Sequence, residues 1–524
     1  MKKRMILTAV VGLVLFLAPQ SNAASLWFDL NGSAENFGDP GIGNWDNTTA
    51  NWNTESLGTN TPVLWTNPGY PSADTAVFRL RNSPHNGTLA SPNFLINVVG
   101  TQHVAQFTYD YPSANIRTAY IVLTNGVIRA EGQTFINYNT GTSSNSTFHV
   151  YSDIHLGTNF ASTTGFAYIF ATGGLSGGGN NQLILEGKIT SMVNTQNTFI
   201  ALQSISPGFN PQSSKLTLTA SSSMSDGAGS GKLNVIYGHA ASDLARGGRI
   251  EVYSTNSYSG TTSFRGGKNI IYVNALSGQN GAFGNATTAL RFGAVPTGDA
   301  MHATNTLSLL TGVSGITMGR NIDIEPGFTN NTLYGVTIGG EHTSGTSTFS
   351  GNINLSTSGG VYPRTNVVQL TAATGGRVLF SGNLTETTPT AAVPIEKVGG
   401  GIVELSGANT YRGGTIVTEG TLLVTGSLTG TGAVTVATGA ILGGNGYIRG
   451  NTTVNGTLAP GTSAGDLTFN GHLTLGSGST SAFEINGLLV GQYDRVLLSS
   501  LGTQNLTLAG TLDLTVGVFS ANPG

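Results

Sequence analysis

His149, Tyr151, Asp153 and His155 alternate along one short run and offer this sequence its densest set of reactive side chains. On a regular strand they share a face, opposite Phe148, Val150, Ile154 and Leu156. Two imidazoles and a carboxylate suit zinc. Yet His149 and His155 would stand about 20 Å apart along a straight strand at ~3.3 Å per residue, too far for one ion. The face therefore reads as solvated. Asp323 and Glu325 also share a strand face. Glycosidic hydrolysis uses two carboxylates about 5–10 Å apart, so this pair is the best enzymatic candidate, with a solvated pair as the plainer reading.

Other matches are by letter only. Gly461-Thr462-Ser463-Ala464-Gly465 and Gly174-Leu175-Ser176-Gly177-Gly178 fit G-x-S-x-G, but a nucleophile elbow needs a following helix with His and acid partners. No helical pattern follows either one. Residues 226–233 almost spell a phosphate loop, but they lack its first glycine. Leu233 also replaces the hydroxyl that would hold magnesium. Gly443-Gly444-Asn445-Gly446-Tyr447-Ile448 opens like a calcium nonapeptide, with Ile448 where the ligand Asp must stand. No catalytic, cofactor-binding or metal-binding residue is assigned. No cofactor is expected, and the chain is expected not to be an enzyme.

The background of these residues points to a scaffold. Of 524 residues only 9% are charged, against about 25% in ordinary globular domains. The net charge of -3 gives no basic footprint, so nucleic acid is an unsuitable partner. Hydrophobic residues reach 38% and fall in short alternating runs, which suits ordered strands. The 76 glycines, with abundant Asn, Ser and Thr, serve turns. There is no cysteine, so strand ladders and stacked side chains must hold the fold.

Residues 1–23 read as a signal peptide. Lys2, Lys3 and Arg4 precede an apolar run to Leu17, and Ser21-Asn22-Ala23 offers a cleavage site. Residues 24–90 hold Trp27, Trp45, Trp52 and Trp65 and read as a Trp-rich cap over the first coil of a stack. A sugar-binding platform is the rival use of those rings. Residues 91–394 read as degenerate coils, strand and glycine by turns. Phe349-Ser350-Gly351-Asn352 and Phe380-Ser381-Gly382-Asn383 repeat one phrase.

A longer phrase also occurs twice. Gly400-Gly401-Ile402-Val403-Glu404-Leu405 runs on to Asn409-Thr410-Tyr411-Arg412-Gly413-Gly414-Thr415. Gly247-Gly248-Arg249-Ile250-Glu251-Val252 runs on to Asn256-Ser257-Tyr258-Ser259-Gly260-Thr261-Thr262. Asn409 and Asn256 are expected to make turn-stabilising side-chain bonds, and Tyr411 and Tyr258 to pack on the neighbouring coil. Units this short cannot bury a face alone and must stack. At ~20–25 residues per coil the chain would make roughly 18–22 coils, a rod about 90–105 Å long.

Residues 395–524 resemble the autotransporter-associated β-strand repeat, also called the passenger-associated transport repeat. The resemblance rests on Gly407, Asn409, Thr410, Tyr411, Gly413, Thr415 and Gly420-Thr421-Leu422. Leu458-Ala459-Pro460-Gly461, Phe483-Glu484-Ile485-Asn486-Gly487 and Tyr493-Asp494-Arg495-Val496 extend it. It implies an all-β, right-handed parallel β-helix, exported and held at or released from the outer-membrane surface of a Gram-negative-type cell. The implied role is structural display. A glycan-binding adhesin, with an extracellular polysaccharide or cell-surface partner, is the first alternative. A polysaccharide lyase or hydrolase is the second, although polygalacturonases carry Gly-His-Gly and this chain has Tyr237-Gly238-His239-Ala240. The sequence up to Gly524 carries neither the membrane barrel nor the sorting tail that the resemblance implies, so a fragment or a different anchor is expected.

Overall fold

Among the described residues of the computed structural model, every regular element is a β-strand. The structure describes residues 25–28, 42–45, 48, 52–53, 75–79, 93–104, 106–111, 118–130, 134–140, 145–157, 167–172, 181–192, 197–205, 214–238, 248–293, 307–324, 335–355, 367–387, 392–499 and 504–517. The signal-peptide region, Trp65, residues 174–178, His239 and Glu325 lie outside them.

The strands stack in parallel as a β-helix with up to three strands per coil. One face is continuous: seventeen strands pair from Ile42–Trp45 to Leu506–Thr507. The second face begins as a five-stranded sheet, Thr101–Val104 to Ser223–Ser225. It resumes as a nine-stranded sheet, Thr317–Met318 to Thr511–Val516. The third is a thirteen-stranded sheet whose last strand is Leu384–Thr385. A five-stranded sheet, Ala408–Asn409 to Arg495–Leu498, follows it. Ser25–Phe28 pairs antiparallel with Trp52–Asn53, next to the first coils.

Alternation explains which side chains point in. Phe148, Val150, Ser152, Ile154 and Leu156 are all buried. The alternation survives a corner: Asn145–Val150 and Asp153–Leu156 belong to different faces. One straight strand through His149 and His155 is therefore corrected to two strands meeting at Tyr151-Ser152. Fully burying each Val, Ile or Leu contributes about 1.5–3 kcal/mol, which offsets the absence of disulfides.

Coil length varies along the column, and spacings at or near the expected ~20–25 residues occur in only part of it. Lys397, Val417, Val436 and Val454 are register partners, 20, 19 and 18 residues apart. Leu183, Leu216 and Ile250 are partners 33 and 34 residues apart. Arg249 and Lys268 are partners only 19 residues apart, but other early coils carry longer segments between strands, so seventeen stacked strands make a column of roughly 75–80 Å at ~4.8 Å per step.

The shorter repeated phrase stacks on itself. Phe349 and Phe380 are register partners with rings 4.9 Å apart and nearly parallel. The Asn352 N–H donates to Asn321 Oδ1, Asn383 N–H to Asn352 Oδ1, and Ala408 N–H to Asn383 Oδ1, at 2.8–2.9 Å. A Cβ on Gly382 would lie 2.1 Å from the Gly351 carbonyl oxygen, so this corner admits only glycine. Trp45 and Trp52 are 0% exposed, with rings 5.4 Å apart, and offer no face to a sugar.

Candidate functional site

The twice-used phrase builds the same junction twice. Asn256 is fully buried; its Oδ1 accepts the Met224 N–H at 2.8 Å and its Nδ2 donates to the Ala282 carbonyl at 2.8 Å. Asn409 is also fully buried. Its Oδ1 accepts the Leu384 N–H at 2.9 Å, and its Nδ2 donates to Gly407 and Ser427 carbonyls at 2.9 and 3.2 Å. The buried Tyr258 and Tyr411 hydroxyls bond Thr262 and Thr415 hydroxyls at 2.9 and 2.6 Å. Burial pushes both phenols up to about 12, so they stay protonated.

Each junction also takes an acid from the preceding coil. Asp226 accepts the Leu233 N–H at 2.7 Å and the Ser259 N–H at 2.9 Å. Glu386 accepts the Val393 N–H at 2.8 Å and the Arg412 N–H at 3.3 Å. Both acids stand two residues after the amide that the asparagine binds and seven before a second amide that they hold, at the start of Leu233–Tyr237 and just ahead of Ile395–Val398. Sequence reading met Asp226 only as a failed phosphate loop. The available signal was this shared spacing.

The two copies do not occupy the same place on the coil. Arg249–Val252 lies on the continuous face, whereas Ile402–Leu405 lies in the nine-stranded sheet. The phrase is thus shifted by one face between its copies. Each copy sits where a sheet stops. Met224 belongs to the last strand of the first five-stranded sheet, and Leu384 to the last strand of the thirteen-stranded sheet. An asparagine side chain there accepts the amide that has no further strand to meet.

The second junction holds a buried cation. Lys397 is 0% exposed and stands in the inward column between Leu370 and Val417. Its Nζ donates to the Gly399 carbonyl, and to the Glu419 carbonyl at 2.7 Å. Burial lowers its pKa from 10.5 to about 8, with Glu419 opposing the shift.

The sequence candidates fare differently. Asp323 is set in register between Arg291 and Asn354 of adjacent coils. The turn at residues 461–465 is braced, not reactive. Asp494 accepts the Gly465 N–H at 2.9 Å and the Glu484 N–H at 2.7 Å, and Arg495 pairs with Asp466. Burial pushes Asp494 up, while the Arg495 hydrogen bond holds Asp466 below the usual carboxylate range. No helix follows that turn. Among the described residues no group of three or more His, Asp or Glu side chains converges to hold a metal ion. His149 lies 3.5 Å from Glu186 and its ring stacks on Tyr151.

Residues 395–424 match the passenger-associated-transport-repeat family. That repeat is associated with autotransporter passenger domains. The matched span contains Lys397, Asn409, Tyr411, Thr415 and Glu419, the chemical core of the second junction. Comparison with curated proteins gives no match, and neither does comparison with solved structures.

Proposed function

We propose that the chain is an exported, non-enzymatic passenger stalk of the autotransporter type, displayed at a Gram-negative-type cell surface. The observation that carries this reading is a passenger-associated repeat built into an unbroken parallel column as one of its structural junctions. Such a column can grow coil by coil without needing one large core. In this reading residues 24–90 cap the first coils. The burial of Trp45 and Trp52 supports that use and weighs against a sugar platform made of those two rings.

The test is protease shaving of intact cells that express the natural gene. Cleavage of the column from outside, with a periplasmic marker left whole, is the expected result. A column that stays protected until the outer membrane is opened would refute surface display. Incubation with uronic-acid and neutral glycans should release no product; product lost in Asp323→Asn would restore the enzymatic alternative.

A further inference from the structure

In a chain with 9% charged residues, one outward strip is rich in ionisable groups. His103, Arg129 and His155 occupy one outward register position on three consecutive coils of the first five-stranded sheet. Thr190 and Ser225 continue the same line. The coils step by ~4.8 Å, so the three basic groups form a ladder along the column. Beside it stands Lys188. At the adjoining corner Tyr151 is 45% exposed, its ring stacked on His149 at 5.8 Å and 12°.

Among the described residues two acids border this strip, and both are turned to the protein's own groups. Asp153 Oδ1 accepts the Lys188 backbone N–H at 2.8 Å. Glu186 accepts the Ser221 hydroxyl at 2.7 Å and the Thr219 hydroxyl at 3.2 Å, and it faces His149. With neutral histidines, the described cations Arg129 and Lys188 equal the described acids Asp153 and Glu186 in number. Protonating His149 and His155 adds two positive charges to the strip, against a whole-chain charge of -3.

We infer that this strip binds a linear acidic polysaccharide lying along the column axis, and that it does so when His149 and His155 are protonated. A uronate polymer carries one carboxylate per sugar, so successive sugars can meet His103, Arg129 and His155 in turn. Tyr151 offers a ring face to a sugar beside them. A single small anion would meet one cation and gain little, because exposed ion pairs contribute under about 1 kcal/mol each. Burial lowers the pKa of His149 and His155, with Glu186 and Asp153 opposing it and Arg129 reinforcing it at His155. Charging therefore sets in below the ordinary value of about 6.5.

The experiment titrates the purified chain with polygalacturonate, dextran and galacturonic acid from about pH 8 to about pH 5. Binding of polygalacturonate should appear on acidification, weaken with salt, and be absent for dextran and the monomer. Arg129→Gln and His155→Gln should each weaken it about two- to fivefold, and the double variant more, while His472→Gln, on another part of the column, should not. All three are outer-surface changes, checked by unchanged far-UV circular dichroism. Polymer binding that ignores pH, or survives the double variant, overturns the inference. So does equal binding to dextran, or tighter binding to vesicles of anionic lipid. The assay does not depend on display at a cell surface, so its outcome is separable from the function proposed above.

Discussion

Asn409→Ala tests the junction directly. The substitution removes one acceptor and two donor contacts at a site with no exposure. The Leu384 N–H loses its partner in a dry environment, which costs about 1–3 kcal/mol. Gly407 keeps a second partner, because its carbonyl also accepts the Ser427 N–H at 3.1 Å. The two lost donor bonds add about 0.5–1.5 kcal/mol each, for a total of about 2–6 kcal/mol. Asn409→Asp separates the roles. A carboxylate can still accept the Leu384 N–H but opposes two carbonyl oxygens, so it should be the worse variant at neutral pH and recover in acid. Coils in a solenoid open semi-independently, so a single melting temperature would blur the effect. Hydrogen exchange followed by mass spectrometry should show lost protection around Leu384 and Thr410, with residues 214–238 unchanged. Asn256→Ala should do the reverse, exposing Met224 and sparing Leu384. Unaltered protection at Leu384 in Asn409→Ala would refute the bridging role.

Two further outcomes follow from buried positions. The pKa of Lys397 falls from 10.5 to about 8 on folding, so below about pH 8 the folded state bears the whole cost of a buried charge. Stability of its region should rise as pH climbs from about 8 to 10.5, by an amount on the order of 3 kcal/mol. Lys397→Met should remove that slope, seen as urea midpoints that no longer diverge from neutral values; an identical slope would deny the lysine this role. Gly382→Ala places a methyl against the Gly351 carbonyl and should cost at least about 1–3 kcal/mol, read as raised exchange at Phe349 and Phe380. Gly439→Asn is its control. Nothing lies within 4 Å of a Cβ at Gly439, and its φ of +83° suits asparagine. Equal losses in both variants would mean that crowding is not the cause.

The column itself was legible because alternation is a local property. A strand with every second residue apolar declares its inward face without reference to its neighbours, and the phrase Phe-Ser-Gly-Asn stacks where it repeats. Coil length was not legible, since the segments between strands vary freely at little cost in closure entropy. The acids Asp226 and Glu386 escaped notice because one of the two amides each holds lies 33 or 26 positions away, across those variable segments. Lys397 did leave a trace. It stands two residues after Ile395, hence on the inward phase of the strand Ile395–Val398, where a lysine is out of place unless it is bonded. Which face of the coil a phrase would occupy left none, and the one-face shift between the copies could come only from the register.

That shift suggests what the repeated phrase is for. A sheet that stops inside a column strands the amides of its last strand, and an orphaned buried N–H is costly. The column has several such places, and an asparagine meets the amide at three of them. Met224 donates to Asn256, and Leu384 donates to Asn409. Thr317, in the first strand of the nine-stranded sheet, donates to Asn274 at 2.8 Å, although no Asn-x-Tyr phrase surrounds that residue. Aspartate could only accept, and serine has one oxygen for both roles, whereas an amide accepts on one atom and donates two hydrogens from another, as Asn409 does. The phrase therefore recurs where the column changes its sheets and not at a fixed interval. This accounts for two copies 153 residues apart on different faces. It also accounts for a family resemblance concentrated at residues 395–424 while the fold runs the length of the described chain.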